Sequence, residues 1–486
     1  MTPSDGSRAR FRREFPFVGR LINPIRIRDV LLFAAEESIR TSQAVLQAEM
    51  PRAEVRVLRS PALLSAVKLD VPTVLILDDM AMNLVDVEAV RRHSRRAVVV
   101  LLSAHPLVQC SPPAIACKEF PYTAKADLVF AVDRAECAPS RIVTSVVRAA
   151  EDHLNISEPS HARRFIFLIV DDEPRWFSQF LPVLYGIIGG RAAVKLARTY
   201  ETAVEFLFGV ERESGITDTC RDRGYGDDVV CLITDIYFPK GEDMDGDAGR
   251  DLIRLVKQHY ARIPIIIASK AKDAADLKDE GFVLPKGDPG SLELLRRCIR
   301  DRTGIGDCVV YDEGGEERYR LKGVRDMYRL LRTTDGSGVE AERLRALLAK
   351  YVEEDRLSTW FHMHGLRELG EAARPQQVPD GERAIARLRR LLKREILRMQ
   401  RTPLVLAGMR VFSLEELLTA LRTIPPEEIQ PLTDNDAISS WLDQRGCSEL
   451  AEELRPIHGR GGELGKLLAE AVEKWIGIYI SRSESV

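Results

Sequence analysis

From residue 29 onward, short apolar runs alternate with longer amphipathic stretches. DVLLFAA (29–35), AEVRVLR (53–59), TVLILDD (73–79), AVVVLLS (97–103) and DLVFAV (127–132) form a first set. Short, almost continuously apolar runs predict strands covered on both faces, and their spacing leaves room for a crossover helix. The polar stretch HLNISEPSHARR (153–164) reads as a linker, after which the rhythm restarts. FIFLIVDD (165–172), AAVKLAR (192–198), VVCLITD (229–235), IPIIIAS (263–269) and GFVLP (281–285) are the second five strands. The insert ERESGITDTCRDRGYGDD (211–228) reads as a surface loop. Two consecutive α/β units, each with a parallel sheet, are expected.

From about residue 320 helical periodicity replaces the strand signal. There the chain echoes itself. STWFHMHGLRELGEAARP (358–375) is matched by SSWLDQRGCSELAEELRP (439–456), with Trp360 aligned to Trp441 and Gly365 to Gly446. VRDMYRLLRT (324–333) similarly echoes LEELLTALRT (414–423). Such repeated units bury their apolar faces on each other. The expected chain is α/β plus all-α. It has a basic arm (1–28), a first α/β unit (29–150), a second (165–302) and helical modules at 320–400 and 404–482. The repeated tryptophans read as core anchors. The basic amphipathic stretch 382–401 reads as a solvated face with an apolar stripe.

Composition changes this picture little. The chain has 486 residues, 45% hydrophobic and 30% charged, with a net charge of -3. That balance gives no bulk electrostatic case for nucleic acid or a membrane surface. No apolar run reaches the roughly 18 residues of a membrane span, and the arginine-rich arm lacks the apolar core of a secretory signal. The eight cysteines form no CxxC pair, which suits reduced structural thiols and a cytoplasmic location.

The chemistry lies at the ends of the second set of strands. Strand one ends in Asp171 and Asp172, strand three in Asp235, strand four in Ser269, and Lys286 follows strand five. In an open parallel sheet these carboxyl ends lie together, where ligands bind. Three carboxylates in one place repel each other and call for a cation. An oxygen-only donor set suits Mg2+. A lysine and a hydroxyl opposite the metal suit an oxyanion, so the set fits a phosphoryl group carried on Asp235.

FLIVDDEP, LITDIYFP, IIIAS and VLPKG resemble the receiver domain of two-component response regulators. The resemblance implies a five-stranded flavodoxin-like sheet of order 2-1-3-4-5. It also implies Asp235 as phosphoacceptor, and Mg2+ held directly by Asp172, by Asp171 through water or as a second ligand, and by the backbone carbonyl of Tyr237. Ser269 and Lys286 would hold the phosphoryl group. One departure from the family pattern is that Pro285 precedes Lys286 and the nearest aromatic, Phe282, is four residues back. A narrower resemblance spans about 165–460. WFSQFLPVLYGII (176–188), DAGRDLI (247–253), LPKGDPGSL (284–292), GIGDCVV (304–310) and the tryptophan modules resemble the receiver-containing region of some bacterial phosphoenolpyruvate-synthase-like proteins. No GxxxxGK[ST] loop occurs, and dikinase activity is not carried over.

In the first unit, Asp78 stands where Asp235 does, Ser103 matches Ser269, and Glu36–Glu37 are read as counterparts of Asp171–Asp172. Asp133 stands where a lysine is needed, and an acid there repels a phosphoryl group. A degenerate receiver used for packing or dimerisation is expected, with a weak second acceptor at Asp78 as the alternative.

The expected function is phosphoryl acceptance and signalling through the helical modules, with no enzymatic turnover beyond the chain's own phosphorylation and dephosphorylation. Expected partners are a histidine kinase or phosphotransfer protein, a protein partner of the modules and a second copy of the chain. No helix-turn-helix is recognisable, and neither a membrane nor nucleic acid is expected. The rivals are a phosphate sink or scaffold without switched output, and a phosphatase-type enzyme. The latter wants an acid two residues after its nucleophile, where this chain has Tyr237.

Overall fold

A computed structural model describes residues 25–35, 37–50, 53–60, 71–94, 96–132, 139–157, 165–188, 192–209, 224–241, 243–260, 263–270, 275–312, 316–353, 356–364, 366–374, 381–434, 437–454 and 463–484. Glu36, Asp133, nearly all of the arm at 1–28 and most of the insert at 211–228 lie outside the described residues. The chain divides into two compact units, one holding residues 24–187 and 192–298 and the other 299–486.

The first compact unit contains two parallel sheets. In one, β1 (Asp29–Phe33), β2 (Glu54–Val57), β3 (Thr73–Asp78), β4 (Ala97–Ser103) and β5 (Leu128–Ala131) stand in the order 2-1-3-4-5. In the other, β6 (Phe165–Val170), β7 (Ala192–Ala197), β8 (Val229–Thr234), β11 (Ile265–Ser269) and β12 (Phe282–Pro285) stand in the order 7-6-8-11-12. Renumbered within the second sheet, that is the same 2-1-3-4-5 order, and every pair is parallel. The central strands TVLILD and VVCLIT are buried at every position, which is why they read as continuous apolar runs. Helix Ala248–His259 buries Ala248, Gly249, Leu252, Ile253 and Val256, the three-to-four spacing of one helical face.

Two features depart from the sequence reading. Helix Pro139–Ser157 continues into the stretch read as a linker. A small antiparallel hairpin, β9 (Phe238–Lys240) with β10 (Asp243–Asp245), follows β8 directly. Helix Pro139–Ser157 also ties the two sheets together. Its buried Asp152 accepts hydrogen bonds from Tyr185 Oη at 2.9 Å and Val194 N at 2.8 Å, both in the second sheet's layer.

The second compact unit is not all-α, which corrects that expectation. The hairpin β13 (Cys308–Tyr311) with β14 (Glu317–Leu321) precedes five helices: Val324–Thr333, Val339–Glu353, Arg356–Met363, Arg367–Ala373 and Gly381–Arg401. The hairpin β15 (Leu404–Leu406) with β16 (Met409–Val411) precedes another five: Leu414–Thr423, Pro426–Asp434, Ala437–Gln444, Ser448–Leu454 and Leu464–Glu484. These strands are three to five residues long and include polar positions, so they lack a strand-period signal of useful length. Each half has its own apolar core. Trp360 and Trp441 are buried in equivalent places. The Trp360 indole donates to Gly306 O at 2.8 Å and the Trp441 indole to Thr402 O at 3.4 Å, each acceptor lying just ahead of its hairpin. His364 is buried with Nδ1 2.8 Å from Trp360 O, a structural role. Among the described residues six cysteines are free thiols, and no helix is long and apolar enough to cross a membrane.

Candidate functional site

The second sheet brings the predicted residues to one edge because its strands are in parallel register. Val170 pairs with Thr234, Thr234's neighbour β11 ends on Ser269, and Ser269 pairs with Pro285. The residues just beyond, Asp171, Asp172, Asp235 and Lys286, therefore leave the sheet together. Asp171, Asp172 and Asp235 each offer a carboxylate oxygen within 4.8 Å of the other two. Asp171 and Asp172 are buried, as are Ser269 and Lys286.

Lys286 Nζ lies 2.6 Å from Asp171 Oδ2 and forms a hydrogen-bonded ion pair with Asp235 Oδ2. Its ammonium also lies 5.6 Å from the centre of the Trp176 ring. Trp176 is held in turn by its indole hydrogen bond to Glu173 Oε2 at 2.7 Å. Gly287 turns the chain after the lysine with φ +80°, and a Cβ there would come 3.3 Å from the Trp176 ring. Gly249 is needed for a different reason. A Cβ would sit 2.2 Å from Asp235 O, so only glycine lets helix Ala248–His259 start this close to the Asp235 loop.

The electrostatics are those of a crowded acidic site. Burial pushes the Asp171 carboxyl up to about 7, and Asp235 and Asp172 reinforce this against the pull of Lys286. Burial likewise raises Asp172 to about 6, with Glu173 and Asp235 adding to it. Burial works against the Lys286 ammonium, but Asp171 and Asp235 outweigh it and its pKa is raised. One lysine thus leaves negative charge uncompensated once all three acids ionise. A divalent cation on these oxygens fits that excess of negative charge, and three carboxylates with no nitrogen or sulfur donor fit Mg2+. Tyr237 lies between Asp235 and β9 with its ring exposed.

The first sheet lacks this arrangement, and two expected correspondences are corrected by register. Phe33 pairs with Leu77 as Val170 pairs with Thr234, so Ala34 and Ala35 stand where Asp171 and Asp172 do. Glu37 lies beyond that position, exposed and paired with Arg40 at 2.6 Å. The offset arose because matching acids by type ignored how far past the strand end each lies. Val132 N donates to Ser103 O at 3.0 Å as Lys286 N donates to Ser269 O at 2.8 Å. Buried Val132, not Asp133, is therefore the counterpart of the lysine. Asp78 does match Asp235, and Ser103 does match Ser269. Their side chains are otherwise engaged. Asp78 accepts from Ala81 N at 2.8 Å and Ala35 N at 2.5 Å. Ser103 donates to Asp79 Oδ1 at 2.7 Å, which also accepts from Tyr122 Oη at 3.0 Å.

Sequence reasoning missed Arg198. It directly follows β7, and its guanidinium reaches the Asp172 carbonyl through Nη2 at 2.7 Å and Nε at 3.1 Å. A charged residue closing the apolar run AAVKLA was the available signal.

No family model matches the chain, and no curated protein matches it. Solved structures do. A protein described as a two-component system response regulator/GGDEF domain protein is 17% identical, with a TM-score of 0.26, covering 56% of this chain and 98% of the other. The Escherichia coli RcsC C-terminus, containing a linker region and phosphoreceiver domain, is 15% identical with a TM-score of 0.20, covering 58% of this chain and 98% of the other. NtrX from Brucella abortus in complex with ADP is 13% identical with a TM-score of 0.17, covering 92% and 99%. The narrower resemblance to phosphoenolpyruvate-synthase-like proteins is not shown by these matches. The flavodoxin-like strand order of both α/β units rests on their own pairing and register, not on these matches.

Proposed function

We propose that the chain is a signalling protein of two-component type that accepts a phosphoryl group on Asp235, with Mg2+ as cofactor. The observation that carries this reading is one cluster: three strand-end carboxylates within 4.8 Å, with the buried Lys286 ammonium against two of them. Asp171, Asp172, Asp235 and the Tyr237 carbonyl would hold the cation, which when bound supplies positive charge to the carboxylates and to phosphoryl oxygens.

The protein's own groups account for the remainder. An Asp235 carboxylate oxygen attacks phosphorus, forming an acyl-phosphate O–P bond. The donor's P–N bond (from a phosphohistidine) or P–O bond (from an acyl phosphate) breaks, and its electron pair leaves with the donor. Lys286 exchanges its carboxylate partner on Asp235 for a phosphoryl oxygen, and the Ser269 hydroxyl donates to another. This exchange is a local change of charge able to bias two packings of the surrounding loops. The two hairpin-and-helix modules after residue 304 are the candidate output, through a protein partner. Donors would be a histidine kinase or a phosphotransfer protein. The first α/β unit, with Ala34, Ala35 and Val132 at its site positions, is a pseudo-receiver in this reading.

Borohydride trapping locates the acceptor. After incubation with acetyl phosphate and Mg2+, reduction of an acyl phosphate converts its aspartate to homoserine. Peptide mass mapping is expected to find homoserine at position 235. Homoserine only at another aspartate contradicts the assignment.

A further inference from the structure

Both acids of the β6 loop are carried by a short segment between β6 and helix Pro174–Ile188. That segment is held by two residues at the end of β7, Ala197 and Arg198, while the first α/β unit bonds to Arg198 and to the helix that follows the segment. Asp171 N donates to Ala197 O at 3.1 Å, a bond within the second sheet. Arg198 follows Ala197, is part-buried, and carries a guanidinium that stays charged at neutral pH. Its Nη2 donates both to Asp172 O at 2.7 Å and to Ser111 O, in the first unit, at 3.1 Å. The helix leaving the acidic segment is fixed from the same side. Ser178 Oγ accepts from Ala131 N at 2.9 Å, an N–H on the edge strand β5 of the first sheet. The Phe130 and Phe177 rings meet edge to face at 5.9 Å beside that bond.

We propose that the first α/β unit is a positioning element for the cation site of the second, acting through Arg198, whose guanidinium spans the Asp172 and Ser111 carbonyls. The physical reason is geometric. Mg2+ accepts little departure from octahedral oxygen positions, so affinity depends on how firmly the acid-bearing backbone is held. A guanidinium offers several donors in a fixed plane and can hold two carbonyls at once, and hydrogen bonds to a charged donor are the stronger kind. Residues outside the direct ligands typically alter metal affinity ten- to a hundredfold when removed. The first unit, with Ala34, Ala35 and Val132 where the second has Asp171, Asp172 and Lys286, thereby has a role in the chemistry of its neighbour. Arg198 is a positioning residue and touches neither cation nor phosphoryl group in this account.

This inference rests on the cation site proposed above, and one experiment separates the two. Mg2+ is titrated by isothermal calorimetry into the full chain as wild type, Arg198→Met and Arg198→Lys, with folding checked by circular dichroism. Arg198→Met keeps the aliphatic stem and removes every donor; its Kd is expected to rise at least fivefold. Arg198→Lys, keeping the charge with a less rigid head, is expected to recover part of that loss. A Kd for Arg198→Met within twofold of wild type overturns the inference while leaving the cation site standing. If Arg198→Met does not fold, Arg198→Lys decides: a two- to threefold weakening supports the inference and an unchanged Kd overturns it. No Mg2+ binding by the wild type overturns the cation site and this inference with it.

Discussion

Asp78 and Asp235 occupy the same register position in two sheets of the same strand order, and their carboxylates meet opposite surroundings. Asp235 faces the Lys286 ammonium with two further acids beside it. Asp78 accepts two backbone N–H groups, from Ala35 and Ala81, and caps helix Asp79–Leu84. Two different consequences follow for substitution at the two positions.

Removing the Asp78 carboxylate takes away a helix cap and leaves the Ala35 N–H without its acceptor. Asp78→Ala is expected to lower unfolding free energy by about 1–2 kcal/mol. Mg2+ binding at the second site stays at the wild-type affinity. Urea denaturation and calorimetry on the same variant check both halves.

Lys286 is the buried cation against Asp171 and Asp235. Lys286→Met leaves buried acids without their partner, a change that typically costs about 3–5 kcal/mol. In EDTA at about pH 8 the thermal midpoint is expected to fall well below wild type. Added Mg2+ recovers part of the loss, because the cation replaces some of the missing positive charge. A midpoint unchanged in EDTA contradicts the electrostatic account.

The same acids give a pH dependence with a defined sign. Asp171 is raised from 3.8 to about 7, and Asp172 from 3.8 to about 6. The native state therefore binds more protons than the unfolded chain between these values. Stability from these groups is fully present below about pH 4 and is lost as pH rises through 6 to 7. Urea midpoints in EDTA are expected to decline across that window, and Asp171→Asn should flatten the decline. Saturating Mg2+, which binds the deprotonated acids, should suppress it.

Trp360 anchors its module by burial and by the indole bond to Gly306 O. Trp360→Phe removes the donor and is expected to cost about 1–2 kcal/mol, and Trp360→Ala about 3–5 kcal/mol. Trp441, at 3.4 Å from its acceptor, should lose less on Phe substitution. Chemical denaturation of the three variants tests the ordering.

Much of the site was legible because each functional residue closes an apolar run, and strand ends in a parallel sheet converge. FIFLIV followed by two acids and VVCLIT followed by one are each local signals. Register was less legible. Glu36 and Glu37 were matched by residue type, whereas backbone pairing puts Ala34 and Ala35 at the positions in question. The hairpins beginning at Cys308 and Leu404 were too short to show a period. Arg198 closes the run AAVKLA, a signal of position but not of partners, since the Asp172 and Ser111 carbonyls it holds lie 26 and 87 residues away in sequence. Nothing in WFSQFLPVLYGII marks Trp176 as the ring beside Lys286, because that contact depends on how the helix and the β12 loop meet.

The central claim is that Asp235 is the acceptor. Intact-mass measurement after incubation with acetyl phosphate and Mg2+ tests it most directly, with wild type beside Asp235→Asn and Asp78→Asn. The account predicts one added phosphoryl group, about 80 Da, on the wild type and on Asp78→Asn, and none on Asp235→Asn. An equal gain on Asp235→Asn, or a gain lost only in Asp78→Asn, contradicts it.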